Sequence, residues 1–367
     1  MLNEIDDFSD SDLFVCFGYG FTEDAARIIQ IAALCSKAVY RKDPGQVVPQ
    51  LRDYAIKDRH WIEPTMNGSG KAAALFEILP TDPSSQRRAL VVAVRGSASS
   101  IDWLVNLNSD LAECPDLVKL PESRLKPMPK VHRGFADCAR TIAPGLVNQI
   151  KAALDEDQMQ DQEIEIVFTG HSAGGAVACL LFCYLLTSKV LDLPSKKPTL
   201  SCVTFGCPPL FNTDIDARLT KLYGGSNFLP GNMLAFPNDG DPVPRMDAAY
   251  ATELARIWYL VGGGKCPPAT EFENFKPPKL RLNGLGQLVV LFEKEQEGDE
   301  DDDDDRDGDE EEEEDEEEEI IMACRLSHGD LEHQAWANVA AHRMNKNVKW
   351  ITRIGDGSFN GRKAWAD

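Results

Sequence analysis

In the stretch TGHSAGGA, Thr169 to Ala176, a single serine is followed by nothing larger than alanine. A serine hydroxyl is a weak nucleophile until a neighbouring imidazole accepts its proton. That imidazole in turn needs a carboxylate to fix its tautomer and stabilise its charge. Gly170 to Gly174 has the G-x-S-x-G spacing of a sharp strand-to-helix turn that lifts a serine above the edge of a sheet. Small neighbours are required there because strand and helix approach closely. The flanking residues supply that context: EIEIVFTGHS reads as a buried strand and GGAVACLLFCYLLTSKVL as a helix. A glycine-rich turn used only for packing would have no need of a hydroxyl, so Ser172 is the candidate nucleophile.

The partners must come later in the chain, in the order serine, carboxylate, histidine. Asp241 lies in FPNDGDPVPR, just beyond the apolar run NMLAFP, where a loop would hang from the carboxyl end of a strand. Asp239 competes for the role, but Asn-Asp-Gly is ordinary turn chemistry, and the prolines after Asp241 stiffen its backbone. Beyond Asp241 the histidines are His328, His333 and His342. His342 falls well inside the helix that the spacing of LEHQAWANVAAHRMNKNV predicts from Leu331, and reads as a surface or packing residue. His333 stands at the start of that predicted helix with Trp336 three residues on, and is the expected base. His328, in the loop SHGD, is the alternative.

Elements must hold these residues in place. AARIIQIAALCSKAVY, Ala25 to Tyr40, has helical apolar spacing and ends before RKDPG. ALVVAVRGS, Ala89 to Ser97, is a β-branched run stopping at glycine, and SCVTFGCPPL and NMLAFPND repeat the pattern. Strands alternating with helices predict one α/β domain, a mostly parallel sheet with helices on both faces.

The formal charge of −22 is concentrated in one place. Residues 299–319 carry 19 acidic residues and one arginine, leaving 41 acidic against 37 basic residues, a difference of −4. Such a run cannot bury apolar surface and predicts a disordered insertion before the last helix. The nearly balanced remainder has no basic stripe for nucleic acid. The N-terminus lacks the basic start and apolar core of a secretory signal, and the longest apolar run, Ala176 to Leu186, is too short to span a bilayer. A cytoplasmic location is the expectation. The ten cysteines then read as reduced, mostly buried small hydrophobes, without the paired spacing of a zinc site. The expected division is a tail over 1–24, a hydrolase domain over 25–294, the acidic insertion over 295–319, and a C-terminal part over 320–367.

Five motifs in order, RGSASSIDWLVNLNSDL, VHRGF, TGHSAGGA, TFGCPP and DPVPR, resemble the class 3 lipases, the group of the filamentous-fungal triacylglycerol lipases. The helix ending in AVY resembles that family's N-terminal helix. The likeness covers roughly Ala25 to Leu260 and resumes at the last helix. It implies an α/β-hydrolase fold, Ser172 as nucleophile and Asp241 as acid. It also favours His333, because the family's histidine often precedes the final helix with an aromatic residue shortly after. The family's oxyanion hole matches Ser97 and Ala173, and its lid matches the segment around Ile101–Leu107. That segment would either turn an apolar face to a lipid or membrane surface or pack permanently on the core. VHRGF reads as support for the sheet.

The expected function is hydrolysis of the carboxylic esters of tri- or diacylglycerols in lipid catabolism, with a lipid ester as substrate and no metal or organic cofactor. The alternatives are a phospholipase A1 or galactolipase acting on membrane lipids, and a non-catalytic protein that recruits basic partners through the acidic run. Compared with extracellular members of the family, the chain has no visible signal, many cysteines and a long acidic insertion near the histidine.

Overall fold

The β-branched runs read from the sequence become the central strands of one eight-stranded sheet. The computed structural model describes residues 23–41, 54–63, 71–80, 87–96, 110–121, 127–155, 163–188, 190–191, 198–223, 233–263, 277–294, 320–334 and 336–355. In chain order the large sheet contains β1 (Tyr54–Ile62), β2 (Ala73–Pro80), β3 (Arg87–Val94), β6 (Glu163–His171), β7 (Thr199–Phe205), β8 (Met233–Phe236), β9 (Gln287–Lys294) and β10 (Ile320–Leu326). Its spatial order is β1-β2-β3-β6-β7-β8-β9-β10. The five strands from β3 to β9 run parallel, and antiparallel pairs close both edges. A small second sheet pairs β4 (Leu111–Glu113) with β5 (Lys130–His132), placing VHRGF at the entry to the helix that follows.

Helices cover both faces. On one lie α2 (Arg133–Asp155) and α3 (Ala173–Ser188); on the other lie α1 (Glu23–Ala38) and α6 (Met344–Gly355). Successive residues of a strand point to opposite faces. Accordingly Leu90, Val92 and Val94 of β3 join the core under α2 and α3, while Ala89, Val91 and Ala93 join the core under α1 and α6. The α3 helix is apolar all round and almost wholly buried, as a helix wedged between sheet and a second helix layer must be. This is the expected α/β architecture. Two further helices, α4 (Asp216–Tyr223) and α5 (Ala248–Gly263), follow β7 and β8. Eight described cysteines are free thiols, all buried except the partly exposed Cys207. Among the described residues no helix is long and apolar enough to cross a membrane.

The C-terminal part departs from expectation. In place of one helix from Leu331, the chain makes a 3-10 turn at Asp330–His333, an extended stretch, a second 3-10 turn at Val339–His342, and only then α6. Asn338 is the physical reason. Its side-chain oxygen accepts from the N–H groups of Ala340 and Ala341, so it caps a new turn where a continuous helix would need those amides for itself. The acidic run expected at 295–319 and the first 22 residues of the expected tail lie outside the described residues. The residues flanking the run pair with each other, Lys294 with Ile320, as the last rung of an antiparallel β9–β10 ladder.

Candidate active site

Ser172 occupies the single position between the end of β6 and the start of α3. Its φ is 57°, making it the one non-glycine residue in the left-handed region among the described residues. Such a conformation costs about 1–3 kcal/mol and persists only where the surroundings over-determine it. They do so here: the Ser172 N–H donates to the Phe205 carbonyl at 2.9 Å, and the Gly175 N–H donates back to the Ser172 carbonyl at 2.9 Å. Close approach explains the neighbouring glycine, since a Cβ on Gly174 would sit 2.2 Å from the Val94 carbonyl oxygen. Strand, turn and helix thus lock around the hydroxyl, as the sequence predicts.

Asp241 hangs beyond β8 and is fully buried. Its Oδ1 accepts the Val243 N–H at 2.9 Å, so the carboxylate is braced by its own loop. Against it lies His342, whose Nδ1 is 3.0 Å from Oδ2 and 3.1 Å from Oδ1. An ionised carboxylate only accepts, so Nδ1 carries the proton and Nε2 is left as a proton acceptor. The pair packs on Gly206 at the end of β7, where a Cβ would meet Asp241 Oδ2 at 2.7 Å and His342 Nδ1 at 2.9 Å. Gly206 directly follows Phe205, whose carbonyl holds the Ser172 N–H. Consecutive residues of one strand end therefore seat the serine and the carboxylate–imidazole pair.

The imidazole that meets Asp241 is that of His342, whereas the sequence reading expects His333 as the base. His333 closes the first 3-10 turn, nine residues earlier in the chain, and its side chain lies outside the described residues. The alternative, His328, is engaged elsewhere: its Nε2 donates to the Gly286 carbonyl at 3.1 Å, and burial lowers its pKa. Helical spacing alone places His342 in a helix interior, but the cap at Asn338 turns that segment into a strap crossing the Asp241 loop. Asn238 Nδ2 donates to the Ala341 carbonyl at 2.6 Å, and the Asn338 N–H donates to the Gly240 carbonyl at 2.9 Å. Farther back, the buried Arg245 donates to the carbonyls of Glu332 and Gln334, and the Tyr250 hydroxyl donates to that of Trp336. The local signal that could have revealed this is Asn338 itself, a capping residue in the middle of a supposed helix.

Ala173, expected in the oxyanion hole, is the first residue of α3. Its N–H therefore belongs to the opening turn, whose amides have no acceptor within the helix. Ser97 and the segment Ile101–Leu107 lie outside the described residues. The described groups can form a nucleophile, a proton acceptor and an oriented carboxylate at the carboxyl edge of a parallel sheet, which is where this architecture places its chemistry.

Residues 91–251 match the family model Lipase (class 3), a span that contains Ser172 and Asp241 while His342 lies beyond it. Phospholipase A1-II 4 of Oryza sativa subsp. japonica is 30% identical over 171 residues, covering 43% of this chain and 40% of its own. The secreted mono- and diacylglycerol lipase 1 of Fusarium solani is 30% identical over 161 residues, covering 44% of this chain and 40% of its own. The chain thus spans about 40% of the length of these curated relatives. Among solved structures, the native Rhizomucor miehei lipase propeptide complex superposes with a TM-score of 0.50 at 15% identity, covering 88% of this chain and 80% of that one. A triacylglycerol lipase described as having a serine protease triad at its catalytic centre superposes with a TM-score of 0.50 at 15% identity, covering 88% and 95%. These structural likenesses establish the α/β-hydrolase fold, and the family match locates the resemblance to the class 3 lipases in residues 91–251 of this chain.

Proposed function

We propose that the chain hydrolyses carboxylic esters of acylglycerols through Ser172, His342 and Asp241. The observation that carries this reading is the buried Asp241–His342 pair seated on Gly206, one residue from the carbonyl that holds the strained Ser172. Ser172 Oγ bonds to the ester carbonyl carbon as its proton passes to His342 Nε2. The imidazolium returns that proton to the departing alcohol as the C–O bond breaks, and water, activated by the same nitrogen, releases the fatty acid and frees the serine. Asp241 holds the Nδ1 proton and offsets the charge that His342 gains. The N–H groups of Ala173 and Ser97 receive the oxyanion, each worth about 3–4 kcal/mol in the transition state. The segment Ile101–Leu107 meets the lipid surface.

A second substrate class has a specific observation behind it: the rice phospholipase A1 and the Fusarium mono- and diacylglycerol lipase are equally similar to this chain, at 30% identity each. A panel of emulsified acylglycerols and phospholipid vesicles separates the two classes. The reaction itself is tested with a fluorophosphonate probe. The unmodified protein is expected to be labelled and Ser172→Ala to be unlabelled and inactive. His342→Ala loses labelling, whereas His333→Ala and His328→Ala retain it. Normal turnover by Ser172→Ala would overturn the proposal.

A further inference from the structure

We propose that Tyr40 and His171 are positioning residues that hold His342 by its backbone, so that the base is fixed at two points; this rests on the reading of His342 as the base. Asp241 secures the ring of His342, but an imidazole tied only to a carboxylate can still pivot about that bond. The second point is the main chain. His171, the residue before the nucleophile, has its Nε2 2.7 Å from the carbonyl oxygen of His342. A carbonyl only accepts, so His171 carries its proton on Nε2 and leaves Nδ1 as an acceptor. The Tyr40 hydroxyl lies 3.1 Å from that Nδ1, and its proton is the one available to fill it. Tyr40 O–H thus donates to His171, and His171 N–H donates to His342.

Three further observations support a positioning role. The His171 and His342 rings lie 4.5 Å apart and tilted by 31°, so the second imidazole also walls one side of the first. Burial holds the His171 pKa well below its usual value, with the neighbouring His342 acting in the same direction. His171 therefore stays neutral while His342 takes and returns the substrate's proton. Finally, the Gly96 N–H faces the Tyr40 oxygen, whose pKa burial pushes up to about 12, so the hydroxyl stays protonated and bridges two strand ends. Gly96 precedes Ser97, the proposed oxyanion donor. One hydroxyl two residues beyond α1 thus ties the loop leading to that donor to the imidazole that anchors the base.

The test uses the full chain with a water-soluble p-nitrophenyl ester, measuring kcat and KM, with thermal midpoints and fluorophosphonate labelling alongside. Displacing a reacting group by about 1 Å can cost about 100-fold. His171→Leu is expected to lower kcat by about that factor with KM within about twofold. His171→Gln, whose amide N–H stands where Nε2–H was, recovers about tenfold of that loss. Tyr40→Phe, which keeps the ring and its packing, loses about fivefold to tenfold in kcat with an unchanged thermal midpoint. The inference is overturned if Tyr40→Phe matches the unmodified protein in kcat while Ser172 is still labelled, or if glutamine at 171 does no better than leucine. Absence of labelling in the unmodified protein would overturn the underlying functional reading instead.

Discussion

Glu77 and Asp241 are both buried carboxylates, each beside a nitrogen base, yet they serve different ends. Glu77, in the middle of β2, is paired with Arg88 of the neighbouring β3, and both side chains are almost fully enclosed. Arg88 reaches on to the Ala153 carbonyl near the end of α2, so the pair ties two strands to a helix. A guanidinium never gives up its proton under ordinary conditions, and such a pair can only hold. Asp241 faces an imidazole, a group able to accept and return a proton, and that imidazole packs against the ring of His171, the residue before a serine under backbone strain. Burial and pairing are common to both regions. The exchangeable proton and the strained neighbour distinguish the site.

The largest effect expected from this contrast is at Asp241. Asp241→Asn keeps the shape but no longer selects the Nδ1–H tautomer, and kcat should fall by about 10⁴ with little change in thermal midpoint. Glu77→Gln should do the reverse. Stranding a buried guanidinium costs about 3–5 kcal/mol of stability in denaturant unfolding, while turnover per folded molecule stays near normal. Equal losses of turnover in the two variants would erase the distinction.

Asp216 sharpens the comparison with a smaller effect, as a half-buried carboxylate whose described partner is only a backbone amide, the Gly286 N–H at 2.8 Å. Burial raises its pKa from 3.8 to about 7. The folded state therefore binds a proton that the unfolded chain has already released, and the stability present at low pH is lost as pH rises from about 4 to about 7. Asp216→Asn should remove that part of the pH dependence, leaving the variant more stable than the parent at pH 8 and equal to it at pH 4, as read by thermal midpoints.

Most of the frame was legible because its causes are local. β-branched runs ending at glycine marked β3, β6 and β7, and the small residues around Ser172 announced a close strand–helix contact. Asp241 was legible from chain order and its prolines. The imidazole that meets it was not, because its placement depends on contacts distant in sequence. Helical spacing is satisfied by 331–348 as a string of letters, but Asn238, Gly240 and Arg245 take hold of its carbonyls and amides about 90 to 100 residues away and draw it out as a strap. Periodicity carries no record of such contacts. The same blindness applied to His171 and Tyr40, which were visible in their motifs but meaningful only once the hydroxyl met the ring.

The last rung of the β9–β10 ladder has a consequence for how this chain can vary. Because Lys294 and Ile320 already stand side by side, whatever joins them begins and ends at a fixed doorway. Closing a flexible loop grows costlier only slowly, by about 0.6 kcal/mol for each doubling of its length. Related chains are thus free to lengthen, shorten or recharge this stretch with scarcely any penalty to the sheet, and such variation should collect there sooner than at the strap beyond it.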